Sequence, residues 1–206
     1  MYNINNEENT NNPKNSIGNK IVVAMLEYVE ILVFSLSLVL IIFSFCVRLC
    51  EVKGNSMNMT LIDKEKLLVS DMLYTPSCGD IIVFHQTGYL NEPVVKRVIA
   101  VGGETVDMNF ETMQVTITDK NGNKRILDEE YAYHDPSERA KKKYMAHPTD
   151  QQFPLYVPEG YLFVMGDNRY NSLDSRFEEV SLVDERRVLG KVIFRITPFS
   201  KFGTVD

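Results

Sequence analysis

ILVFSLSLVLIIFSFCV, residues 31–47, is a run of 17 residues without a charge. The apolar pattern reaches back at helical spacing through Val22, Val23, Leu26 and Val29, past Glu27 and Glu30. At 1.5 Å per residue the uncharged part spans about 25 Å, and with its flanks it reaches the roughly 30 Å of a hydrocarbon core. Only Ser35, Ser37 and Ser44 interrupt it, so it offers no polar face to water, as the core helix of a soluble protein would. It is long for a cleavable leader, and SFCVRLCEV after it holds no small-x-small processing site. Residues 21–48 therefore read as one transmembrane helix.

Either side of that helix the composition changes. Residues 1–20 are rich in Asn and have almost nothing to bury, which predicts a disordered cytoplasmic tail. Beyond residue 48 the period falls from 3.6 to 2, with Val, Ile, Phe and Tyr in short runs. KLLVSDMLY (66–74), DIIVFHQ (80–86), VVKRVIAV (94–101), TVDMNFETMQVTIT (105–118), YLFVMG (161–166) and VLGKVIFRI (188–196) each read as a strand, and Asn121-Gly122 is a hairpin turn signal. The fold class is mostly β: one N-terminal membrane helix, then a β-rich domain over 49–206. Residues 107–160 form a variable excursion from it, including the solvated lysine run of SERAKKKY (137–144).

The balance of 22 basic and 28 acidic residues, net −6, leaves no footprint for nucleic acid. Three cysteines, Cys46, Cys50 and Cys78, give no disulfide framework, and Cys46 and Cys50 read as packing residues. With no Cys-x-x-Cys pair and three scattered histidines, neither a metal nor a cofactor is expected.

Chemistry has to come from elsewhere. In GNSMNMTL (54–61), Ser56 follows the membrane helix closely, but a nucleophilic serine needs a base to take its proton. His134 and His147 lie in a polar, irregular stretch from about 128 to 158, and His85 ends a strand with no acid patterned to orient it. Lys96 interrupts the apolar run VVKRVIAV and shares a strand face with Val94 and Val98, while Arg97 faces the other way. An ordinary lysine leaves about one amine in 2,500 neutral at pH 7; burial that lowers its pKa to about 8 leaves about one in ten. A third stretch, GDNRYNSLDSR (166–176), is a long polar loop directly after an apolar strand, where function tends to sit.

Taken in order, GNSMNMTL, GDIIVF (79–84), VKRVIAVGGETV (95–106) and GDNRYNSLDSR resemble the motif boxes of bacterial type I signal peptidases, and the likeness runs from the helix to about residue 193. The family's members are membrane-anchored serine/lysine endopeptidases that remove signal peptides from exported preproteins. The resemblance implies Ser56 as nucleophile, its N–H as an oxyanion donor, Lys96 as general base, Ser172 as a hydrogen-bond partner orienting the lysine amine, and Asp174 and Arg176 as a supporting ion pair. It implies apolar pockets for small residues one and three before the cut, with Met57 and Val95 in their walls. The partners expected are signal-peptide-bearing preproteins and the lipid bilayer, the protein acting as a monomer with its catalytic domain on the extracytoplasmic side of the cytoplasmic membrane. That placement runs against the charge count, since Arg48, Lys53, Lys64 and Lys66 after the helix outnumber Lys14 and Lys20 before it.

Three positions depart from the family pattern. Met59 stands where proline is usual, Gly54 where some members carry a hydroxyl, and FEEVSLV (177–183) lacks a usual glycine. Glycine at 54 fits the family's Gram-positive members; a catalytically degenerate anchored binding protein is the alternative that Met59 and the altered FEEV segment suggest. A self-cleaving Ser/Lys regulator would share the core chemistry without the anchor, and a cysteine transpeptidase on Cys78 and His85 lacks a patterned arginine strand.

Overall fold

A computed structural model of the chain describes residues 13–85, 92–112, 114–133 and 150–205. The chain divides into two compact units, 1–45 and 46–206. In the first, the described part is α1 (Pro13–Cys46). Its first turns thus take in residues 13–20 of the Asn-rich segment; residues 1–12 lie outside the described part, as do SERAKKKY, His134 and His147. Gly18–Ile41 is 24 residues long, apolar enough to cross a membrane, and none of it is buried within the chain. Its exposed Ile, Leu, Val and Phe side chains meet no protein core, the situation a bilayer resolves.

Among its described residues the second unit has eleven short strands: β1 (Arg48–Glu51), β2 (Lys66–Ser70), β3 (Ile81–Phe84), β4 (Val94–Ala100), β5 (Thr105–Asn109), β6 (Gln114–Thr118), β7 (Lys124–Ile126), β8 (Leu155–Tyr156), β9 (Tyr161–Met165), β10 (Val183–Asp184) and β11 (Val188–Thr197). They pair antiparallel into a seven-stranded sheet, β1-β2-β11-β3-β4-β9-β10, and a four-stranded sheet, β7-β6-β5-β8. The mostly β class read from the period is what the chain adopts. The run 105–118, read as one strand, is a hairpin: Asn109 Oδ1 accepts from the N–H groups of Glu111 and Thr112, and this side-chain turn folds the run back on itself. The Asn121-Gly122 signal marks the β6–β7 turn, with Gly122 at φ +86°.

Among the described residues the core forms three apolar clusters. Ile99, Val106, Ile117 and Phe163 join the two sheets. On the larger sheet, Met57, Leu61, Val69, Val83 and Val95 pack on one face, and Ile82, Phe84, Val98 and Val164 on the other. The site follows from the strand order. β4 lies beside β9 with Arg97 opposite Met165, so the loop leaving β9 starts next to Lys96 and Arg97. The β1–β2 connection bearing Ser56 is drawn over the same sheet because Met57 and Leu61 are buried against Val95 and Val83.

Candidate active site

Lys96 projects from β4 opposite Ile82, on the face that alternation assigns it. It is 2% exposed, and its Nζ donates to Ser56 Oγ at 2.5 Å. Burial strips water from the ammonium and pulls its pKa from 10.5 down to about 8. Asp174 and Asp167 pull it upward and the Arg176 charge pushes it down, but desolvation dominates. At pH 7 about one amine in ten is then neutral.

The Ser56 turn is held without the usual proline. Leu61 N–H donates to Met57 O (2.8 Å) and Asn58 N–H to Asn55 O (3.1 Å), while Met59 stays exposed. Thr60 Oγ1 donates to Asp167 Oδ2 (2.6 Å), and Arg195 Nη2 to Thr60 O (2.9 Å). Across the turn, Asn168 N–H donates to Ser56 O (3.0 Å) and Asn168 Nδ2 to Asn55 O (3.1 Å). Among the described residues the Ser56 N–H has no acceptor.

Asp174 and Arg176 are fully buried and paired at two points, Nε to Oδ1 at 2.7 Å and Nη2 to Oδ2 at 2.8 Å. Burial would raise the Asp174 pKa; the Arg176 charge and hydrogen bonds from Arg176, Ser172 and the Gly166 N–H outweigh it and hold the carboxyl below its ordinary range. Ser172 lies beside that pair. Its one hydroxyl proton goes to Asp174 Oδ2 (2.6 Å), which leaves the oxygen's lone pairs, not its proton, for a neighbouring cation. The altered FEEV segment closes as a turn, with Ser181 N–H on Phe177 O (2.8 Å) and Phe177 and Val180 buried.

Met57 and Val95, together with Val52, Val94 and Leu173, line a cleft of about 240 Å³ into which Ser56 and Lys96 also open. His85 is exposed at the end of β3, Cys46, Cys50 and Cys78 are free thiols, and no cluster of three metal-binding side chains occurs among the described residues.

Several residues to which the motifs assign no role brace the site. Arg97, the other cation of β4, is also buried; it grips Asp167 at two points (2.9 and 2.8 Å), donates to Gly79 O and stacks 3.9 Å from the Tyr131 ring centre. Arg169 grips Glu129 in the same way (2.8 and 2.6 Å). Gly166 matters for what it lacks. A Cβ there would collide with Ser172 Oγ and with the backbone oxygen of Ser56. Gly166→Ala must therefore displace either the turn bearing Ser56 or Ser172, and a displacement of about 1 Å at a reacting centre costs on the order of 100-fold in rate. Cleavage assays on the folded variant are expected to show a loss of that size in kcat/KM; wild-type activity would contradict this geometry.

The family model described as signal peptidase, peptidase S26, matches residues 25–197. A signal peptidase I of Bacillus licheniformis is 34% identical over 205 residues, covering 97% of this chain and 99% of that protein. A signal peptidase IB of Staphylococcus aureus is 32% identical over 191 residues, covering 86% and 92%. A crystal structure of a signal peptidase I from Enterococcus faecalis is 27% identical and covers 58% of this chain and 97% of that one, at a TM-score of 0.39, too low to carry an argument about the fold. With the family model spanning most of its length and near full-length relatives above 30% identity, the chain belongs to the signal peptidase family, peptidase S26.

Proposed function

We propose that the chain performs its family's reaction, removal of signal peptides from exported preproteins after small-x-small sites, with Ser56 as nucleophile and Lys96 as general base. It is a membrane-anchored serine endopeptidase. The observation that carries the residue assignment is the 2.5 Å contact between Ser56 Oγ and a lysine amine that burial brings to a pKa of about 8.

The neutral amine takes the Ser56 proton as Oγ attacks the scissile carbonyl, and the Ser56 N–H donates to the oxyanion that forms. The resulting ammonium gives its proton to the leaving amine, releasing the mature protein and leaving the signal peptide as an ester on Ser56. Water, deprotonated by the same lysine, then cleaves the ester. Ser172, its proton committed to Asp174, accepts from the ammonium in the charged steps. Met57 and Val95 bound the pocket for the small residue before the cut. Intact Ser56–Lys96 contact favours this over the degenerate binding protein, Met59 notwithstanding.

The organisation that suits this reaction is a tail over 1–20, an anchor over 21–48 held in the lipid bilayer and a catalytic domain over 49–206. On this reading the protein acts as a monomer. The domain sits on the extracytoplasmic side, where a signal peptide still in the bilayer presents its cleavage site close to Ser56, ten residues beyond α1 in the sequence. The Lys and Arg bias has little authority over a long translocated domain.

Two outcomes are expected. The detergent-solubilised protein cuts a preprotein with an Ala-x-Ala site after the last alanine. Its rate at limiting substrate rises with pH through about 8, because the protonated lysine, the form present below its pKa, is inactive; Ser56→Ala and Lys96→Ala each lose at least 1,000-fold, a rough figure for removing one member of a catalytic unit. Binding without cleavage by folded wild type would instead establish the non-catalytic reading. Protease added outside is expected to digest the catalytic domain in cell-wall-stripped cells, whereas protection there together with digestion in inverted vesicles would reverse the orientation.

A further inference from the structure

The cleft beside Ser56 and Lys96 has mostly apolar walls, but its mouth carries two further charges. Lys53, three residues before Ser56, and Glu92, four before Lys96, come from its two sides and meet across it, Nζ to Oε2 at 2.7 Å. Their side chains remain 66% and 62% exposed. An exposed pair of this kind contributes little to folding, so stability does not account for its place over the cleft.

A preprotein presented to Ser56 as an extended strand turns successive side chains to opposite sides. With the residues one and three before the cut directed into the apolar cleft, the residue between them is directed out, toward the mouth. We propose that Lys53 and Glu92 read the charge of that middle residue: an acidic side chain draws Lys53 away from Glu92, and a basic one draws Glu92 away from Lys53. The pair keeps the cleft mouth neutral, so the enzyme accepts either sign there, and each charge alone would bias it. This inference rests on the cleavage reaction proposed above.

The test compares three preproteins that differ only at the middle residue, Ala-Glu-Ala, Ala-Lys-Ala and Ala-Gln-Ala, cut by wild type, Lys53→Glu, Glu92→Lys and the double reversal. The readout is the ratio of kcat/KM for the glutamate and lysine substrates within each protein, which cancels any general loss of activity. The ratio is expected near one for wild type, to fall roughly two- to fivefold in Lys53→Glu, to rise by a similar factor in Glu92→Lys, and to return in the double reversal. About 1 M salt, with a Debye length near 3 Å, should flatten the differences. Ratios that ignore both reversals would overturn the proposal. So would an equal response when the charges are moved to the fifth residue after the cut, since that marks general steering, not a local reader. If wild type fails to cut even the glutamine preprotein, the cleavage reading itself is wrong, an outcome distinct from unchanged ratios.

Discussion

Lys96 is held out of water with its amine on one serine hydroxyl, and the rest of the domain is arranged to make that tolerable. Lowering a lysine pKa from 10.5 to about 8 corresponds to about 3 kcal/mol against the charged form, a large share of an ordinary domain's stability. The sign follows from linkage. The unfolded chain binds this proton more tightly than the folded one, so the penalty is complete below pH 8 and is relieved as the pH climbs from about 8 past 10.5. Near neutral pH the protein carries this cost in full, and in return keeps an amine that can accept a proton.

What holds such a group in place is a frame of buried ion pairs. Arg97–Asp167, Arg169–Glu129 and Arg176–Asp174 each join two points to two points, and together they fix both ends of the loop 166–176. Asp167 also takes the Thr60 hydroxyl, which ties the loop to the turn that carries Ser56. Removing one partner of a buried pair costs about 3–5 kcal/mol because the other charge is left unpaired, so these residues act on the site as a unit. The turn therefore keeps its shape with Met59 where a proline would have pre-set φ, since side-chain hydrogen bonds do the same work.

Local pattern carried most of the fold. The membrane-length helix and seven of the strands, β5 and β6 as a single run, follow from charge-free length and period-2 alternation, and Lys96 stood out because a cation inside VVKRVIAV has to be explained. What pattern missed was non-local or too short. β1 carries Arg48 and Glu51 at its ends, and β8 and β10 are two residues each, too little for alternation to register. The hairpin in 105–118 turns on one asparagine side chain amid a β-rich run. Glu129 lies in a stretch that reads as irregular and polar, and nothing local says it belongs to Arg169, 40 residues on. The direction of the Ser172 hydroxyl was equally invisible, because it depends on which acceptor the fold brings closest.

Everything chemical rests on the proton affinity of one amine. The direct measurement is an NMR titration of the Lys96 side chain in the detergent-solubilised Ser56→Ala protein, with its signal assigned by loss in Lys96→Met. The account predicts a midpoint depressed toward about 8, well below the other lysines. A midpoint at the ordinary 10.5 would mean that burial does not supply the base, and the role given to Lys96 would fall with it.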